Sequence, residues 1–391
     1  MQNHKIIKKI KKKIALEGYI SIYDFLDLSL YDKKDGFYSL NKEILGAKGH
    51  FVTGPEISQI FGELVTIWLI DFLKKTNYKK INLIELGPGN GTLMADMLRV
   101  FKKIYSAQLK INLHFLESSE HLQIRQKKVI DNYNIKVFWH KNFDNLEKKL
   151  TKAPCIFIAN EFFDCLPINQ YILTDGKEWE PKNWKKLCVK FNENQFYFDN
   201  LPLGNNEKNL IEEMLINHRA NFSKEKKIKF LEISPMTNRI ISSISKLLNK
   251  FNGLTLLLDY GKNNPFGNTL QAIYQNRKIS FFEKIGLSDY TSLVDFSNIY
   301  NIAKIHDLVA YPPISQRDFF LQLGILQRAE LLSKNCSNLE RRNLLSSVDR
   351  LISKKHMGEI FRVFCMTKEN SQPIGFTKSI KENIYDNSSI S

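Results

Sequence analysis

Ile81-Asn82-Leu83-Ile84-Glu85-Leu86-Gly87-Pro88-Gly89-Asn90-Gly91-Thr92-Leu93 decides how this chain is read. An apolar run closes on an acid, three glycines then alternate with other residues, and a helical pattern begins. Strand, tight turn and helix in that order form the ligand-binding turn of a doubly wound α/β sheet. The glycines let the backbone approach a ligand or take positive φ, and Pro88 stiffens the turn between two of them. The spacing is Gly-x-Gly-x-Gly; a dinucleotide fingerprint needs the third glycine one position later. The run also lacks the Lys-Ser/Thr with which a P-loop holds triphosphate and magnesium, which argues against a nucleotide triphosphatase. A ligand with an adenosine and no pyrophosphate suits such a turn, and S-adenosylmethionine (SAM) is one.

Composition narrows the class further. The 391 residues suffice for one large domain or two, and 43% hydrophobic with 25% charged residues is ordinary for a soluble globular chain. No apolar run reaches the ~18 residues of a membrane helix. Met1 to Lys13 is basic but lacks the apolar core of a signal peptide and the arginine and serine of a transit peptide, so a cytoplasmic location is expected. The five cysteines are scattered, with no Cys-x-x-Cys pair, so neither a zinc site nor a disulfide framework is indicated and no metal is expected. The net charge of +16 invites a nucleic-acid partner, but only 11 of the 57 basic residues are arginine, the residue that bidentate recognition favours. Abundant Lys, Asn and Ile fit an AT-rich genome better, which disfavours nucleic acid as the substrate.

Outward from the glycine turn, Ile6, Ile10 and Ile14 predict an amphipathic helix, and Ser21 with Asp24 caps a second. Gly46 to Ser58 is a loop before the nucleotide strand, from which Thr53 and Glu56 could fold over a ligand; Pro55-Glu56 opens a helix carrying Phe61 to Leu73. Helix follows over 92–105, then a strand over 111–116 ending at Glu117, where an acid accepts hydrogen bonds from ribose hydroxyls. Further strands are expected at 135–139, 155–161, 254–261, near 302–309 and at 360–366, with helix over 236–250 and helical periodicity over 315–355. A short strand and loop is expected at 229–235. A small β insertion is expected within 178–228, and a polar, disordered tail over 368–391. Asn160, Glu161 and Asp164 lie at the carboxyl end of an apolar strand, where open α/β sheets bind ligands; the two acids there could hold a guanidinium or ammonium.

Together, Glu-Leu-Gly-Pro-Gly-Asn-Gly-Thr-Leu-Met (85–94), Asn-Glu-Phe-Phe-Asp-Cys-Leu-Pro (160–167), Thr-Gly-Pro-Glu-Ile-Ser with Phe-Gly-Glu-Leu (53–64), Leu-Leu-Asp-Tyr-Gly (257–261) and Met-Gly-Glu-Ile-Phe-Arg-Val (357–363) resemble one family: the MidA-like class I SAM-dependent methyltransferases. That family includes a mitochondrial complex I assembly factor that methylates arginine. The resemblance runs from Gly18 to Met366 in the same order. It implies a Rossmann-like seven-stranded sheet at 76–367, a helical N-terminal extension with a covering loop over 1–75, and insertions at about 178–228 and 310–356. It implies SAM lined by Glu85, Gly87, Gly89 and Gly91, its ribose on Glu117, with Asn160 and Thr53 also on the cofactor. Glu161 and Asp164 would act on the acceptor, with Glu56 as a helper. By resemblance the substrate is a protein, the large peripheral-arm subunit of NADH:quinone oxidoreductase, methylated on arginine during assembly. The chain opening directly on the family's first helix favours a bacterial member. Glu117-Ser118-Ser119 stands where relatives show Glu-Pro-Ser, which leaves the acid untouched.

Overall fold

The computed structural model describes residues 4–40, 53–105, 109–174, 180–218 and 229–377. Seven strands build the principal sheet: β1 (Lys80–Leu86), β2 (Lys110–Leu116), β3 (Val137–His140), β4 (Cys155–Asn160), β5 (Gly253–Lys262), β6 (Val309–Ser315) and β7 (Phe361–Thr367). Their order is β6-β7-β5-β4-β1-β2-β3, and only β7 runs antiparallel to its neighbours. A two-residue strand, Val294–Asp295, is the eighth, paired beside the end of β5. The sheet reverses order between β4 and β1, so Glu85 and Asn160 end neighbouring strands at the switch point where such sheets bind ligands.

Both faces of the sheet are covered, and the central strands are therefore mostly apolar while still alternating by face. Leu83, Ile156, Ile158 and Leu256 pack with the helices α1 (Gln59–Thr76) and α2 (Thr92–Ile104). Ile84, Phe157, Ala159 and Leu257 pack the other way, under α3 (Pro235–Phe251) and α4 (Phe296–Ile305). The first layer is completed by α5 (Gln316–Gln322), α6 (Ile325–Ser333) and α7 (Asn338–Ile352), the helical insertion expected from the sequence. Inserted helix and core are bound by one acid: Glu63 accepts from Arg99 Nη1 (2.8 Å) and Arg328 Nε (2.7 Å). Burial alone would raise that carboxyl's pKa, but the two guanidiniums hold it below the ordinary value.

Several expectations change. The strand near 302–309 is divided: residues up to Ile305 belong to α4, capped by Asp295, and β6 begins at Val309. Ile299, Ile302 and Ala303 are buried at helical spacing, and the β-branched isoleucines imitate a strand. The helix opened by Pro55-Glu56 is two helices, Gly54–Ile57 and α1, broken at Ser58, which is extended (φ −159°, ψ 135°) and caps Ile60. The β insertion is also larger than read. Strands Asn169–Leu173, Trp184–Asn192, Gln195–Pro202 and Phe230–Ile233 form a second, antiparallel sheet, and Ile20–Ser21 of the N-terminal extension pairs onto it. Extension and insertion thus form one body, packed around Phe25, Ile10 and Val189. Ser21 caps the helix Ile22–Tyr31 as expected, accepting from the Asp24 amide. Residues 368–377, read as the start of a tail, are packed: Phe376 is buried and Trp68 Nε1 donates to the Ile374 carbonyl. The rest of that tail and most of the Gly46–Ser58 loop before Thr53 lie outside the described residues.

Candidate active site

The carboxyl ends of β1, β2 and β4 open into one cavity of about 810 Å³. At its first end the glycine turn leaves β1. Gly87, Gly89 and Gly91 all take positive φ (60°, 55° and 84°), which only glycine adopts freely. Gly87 and Gly89 line the cavity, whereas Gly91 does not; it ends the turn, giving its amide to Pro88, and starts α2. Glu117 also lines this end. Its carboxylate accepts from the Ser119 amide (2.8 Å) and Gln126 Nε2 (3.1 Å), and burial nevertheless pushes its pKa up to about 7. The Ser118 amide also stabilises that carboxylate, a donor that a proline there would remove. Gln126 reaches the Gly89 carbonyl too (2.9 Å) and takes Trp139 Nε1 (2.8 Å), so it locks the acid to the glycine turn.

Glu85 sits between the two ends, 3% exposed, with Oε2 buried and unpartnered; burial raises it to about 8. A buried carboxyl oxygen facing a cavity without a donor is a place for a ligand's cationic or hydroxyl group. With Glu117 offering lone pairs to a diol and an open glycine turn, these residues fit SAM.

The second end is acidic. Glu161 takes φ +51°, unusual for a side chain with a Cβ. Its Oε1 accepts from the Gly54 amide (2.9 Å) and Asn160 Nδ2 (3.3 Å), and burial raises its pKa to about 7. Asn160 Oδ1 is buried without a partner. Asp164 follows in the same turn. Burial, and then repulsion from Asp259, Asp289 and Glu161, push its carboxyl well above the ordinary range. Asp259 lies behind, 1% exposed, its Oδ2 accepting from the amides of Phe162 (3.0 Å) and Phe163 (2.7 Å). It therefore shapes the turn that presents Glu161 and Asp164.

The covering segment joins the ends. Gly54 binds Glu161, while Glu56 Oε1 accepts from Thr92 Oγ1 (2.6 Å) and Asn90 Nδ2 (3.2 Å) on the glycine turn. Glu56 is thus engaged at the cofactor end. Thr53 lines the cavity beside it. Of the residues singled out from sequence, all but Gly91 line this one space. Sequence reasoning did not assign Gln126, Asp259, Tyr38 or Asp289. Asp259 carried a signal, as the acid closing an apolar strand; Gln126 and Tyr38 lie in unremarkable helical segments.

The chain is similar to known proteins over nearly its whole length. A family model described as an S-adenosyl-L-methionine-dependent methyltransferase matches residues 64–314. The protein arginine methyltransferase NDUFAF7 of Danio rerio is 28% identical over 390 residues, covering 93% of this chain and 86% of that one. The human NDUFAF7 is 28% identical over 385 residues, covering 92% and 83%. A crystal structure of a COG1565 superfamily member from Burkholderia thailandensis, bound to S-adenosyl-homocysteine, shares the fold at a TM-score of 0.79 and 20% identity, covering 96% of this chain and 94% of that one. A seven-stranded sheet with one antiparallel strand, a glycine turn at its switch point and a family match over residues 64–314 agree: the chain belongs to this family of SAM-dependent methyltransferases.

Proposed function

We propose that this enzyme transfers the methyl group of SAM to the guanidinium of an arginine on a protein acceptor. The observation that carries the reading is the acidic end of the cavity. Glu161, Asp164 and Asp289 line it, and none forms an ion pair with a lysine or arginine among the described residues. Buried acids held up by desolvation and mutual repulsion favour a cationic guest, which restores their charge. A guanidinium suits them because it is planar and offers several donors to carboxylates.

Bound SAM supplies a methyl group already activated on a sulfonium, so the chain's own task is orientation. Glu161 and Asp164 would accept hydrogen bonds from two guanidinium nitrogens and draw positive charge onto them. The third nitrogen then regains lone-pair character, and the proton it loses on methylation passes to one of the carboxylates. Gly54 and Asn160 hold Glu161 beforehand, and Asp259 holds the amides of the turn, so little reorganisation remains.

The names of the curated relatives support arginine as the acceptor. The family resemblance extends the reading to the large peripheral-arm subunit of NADH:quinone oxidoreductase. Transfer of label from radiolabelled SAM into extract of a strain lacking the protein tests both. Dimethylarginine recovered from a single protein of that subunit's size is the expected result. Label on RNA or a small molecule would discard the acceptor while keeping the transferase. A protein that is stabilised by SAM yet transfers no label would be a SAM-binding assembly factor without chemistry.

A further inference from the structure

The acidic end is completed by residues from outside the principal sheet. Strands Gln271–Tyr274 and Asp289–Thr291 pair antiparallel, with Ile273 opposite Asp289 and Gln271 opposite Thr291. Successive side chains alternate, so Asp289 and Thr291 line the cavity while Tyr290 turns into an aromatic cluster with Phe25 and Phe281. The strand is fixed against the catalytic turn, because the Ser292 amide donates to the Asp164 carbonyl (2.8 Å). From the N-terminal extension, Tyr38 donates its hydroxyl to Asp289 Oδ1 (2.8 Å), and Tyr31 donates to the Cys165 carbonyl (3.1 Å). The two tyrosine rings lie 5.3 Å apart and both line the cavity.

We propose that Asp289, oriented by Tyr38, is a third acid that binds the acceptor and makes the enzyme select a guanidinium over an ammonium. This rests on the reading of the acceptor as arginine. An ammonium is a compact charge that two carboxylates satisfy. A guanidinium has donors on three edges of a plane and gains from an acid arriving on a separate element. Tyrosine faces in the same space favour a flat cation further. Asp289 is 3% exposed, and burial raises its carboxyl to about 7 against the opposing Tyr38 hydrogen bond. Entry of a cation would draw it into the charged form. In this arrangement Tyr38 is a positioning residue: it touches Asp289 and acts through it.

Binding of n-butylguanidinium and n-butylammonium to the full-length protein saturated with S-adenosyl-homocysteine tests the proposal. Wild-type protein is expected to prefer butylguanidinium. Asp289→Asn should weaken that cation about tenfold, the value of one charge-assisted hydrogen bond, and Tyr38→Phe about threefold. Both should leave the affinity for S-adenosyl-homocysteine unchanged, and Asp289→Glu should recover part of the loss. Tyr38→Phe removes a single oxygen and keeps the ring against Phe37, so it reports even if Asp289→Asn fails to fold. A wild-type preference for butylguanidinium that persists at full strength in both variants would overturn this proposal alone. Wild-type protein that binds neither cation would overturn the arginine reading and this inference with it.

Discussion

Glu161 combines backbone strain, burial and a cavity-lining carboxylate in one residue. Its φ of +51° costs on the order of 1 kcal/mol or more and is held by the Gly54 and Asp259 hydrogen bonds around it. The strain turns the chain sharply at the end of β4, so that Glu161 and Asp164 face one cavity. Glu161→Gln keeps the shape and the Gly54 hydrogen bond but removes the charge that would bind the guanidinium. We expect SAM affinity to change less than about twofold while kcat/KM falls at least about a hundredfold. Calorimetry beside a methyl-transfer assay separates the two; equal loss of binding and turnover would move Glu161 into the cofactor site. Glu161 and Asp164 were legible in the sequence because an apolar strand ending in acids points to the ligand edge of the sheet. Asp289 carried no such mark, since it lies in a long connection and only its pairing with the 271–274 strand aims it inward.

Among the elements, helix α1 is tied to two others through one side chain. Its Glu63 meets Arg99 on α2 and Arg328 on α6, so one carboxylate fixes three helices. Glu63→Gln leaves Arg328 without an anion among the described residues and Arg99 with Asp96 alone, in a partly buried site. The expected loss is about 2 kcal/mol, at the low end for such pairs because both arginines keep more than a third of their side-chain surface in water. The midpoint of urea unfolding measures it, and an unchanged midpoint would assign the network no role in stability. At this scale two helices were misread from the sequence. Isoleucine spacing imitated a strand where α4 forms, and the break at Ser58 was hidden inside a continuous apolar pattern. Both errors come from packing that propensity does not encode: α4 buries one face against α3 and β6, and Ser58 bends the chain so that Glu56 reaches Thr92.

For the whole molecule, burial of acids around the cavity sets a pH dependence. Burial raises Glu85 to about 8 and Glu117, Glu161 and Asp289 to about 7, and it raises Asp259 as well. In the unfolded chain such groups titrate near 4. Between about pH 4 and 8 the folded state therefore holds more protons, and stability falls as pH rises. The contribution is complete below the unfolded pKa and lost through the folded values. The Tm of the ligand-free protein should drop between pH 5.5 and 8.5, and Glu85→Gln should flatten the slope. A Tm that does not fall would show that these acids ionise as in the unfolded chain, and an equally steep slope in the variant would show this of Glu85 alone. On the proposed reading, the same burial is what would favour a cationic acceptor in the cavity.

The sequence by itself determined the principal sheet, the glycine turn, the acids at the ends of β1, β2 and β4, and the class of cofactor. These are local signals: an apolar run, a turn residue and an acid at a strand's end are each written within a dozen neighbours. Tertiary structure alone decided that the N-terminal extension and the inserted strands form one body, through Ile20 pairing with Val189. It also decided that Tyr38 and Asp289, far apart in the chain, meet 2.8 Å apart over the acidic end. Such contacts depend on which long loops close on which others, and that is settled by burial of the whole aromatic cluster around Phe25 rather than by any single stretch of residues.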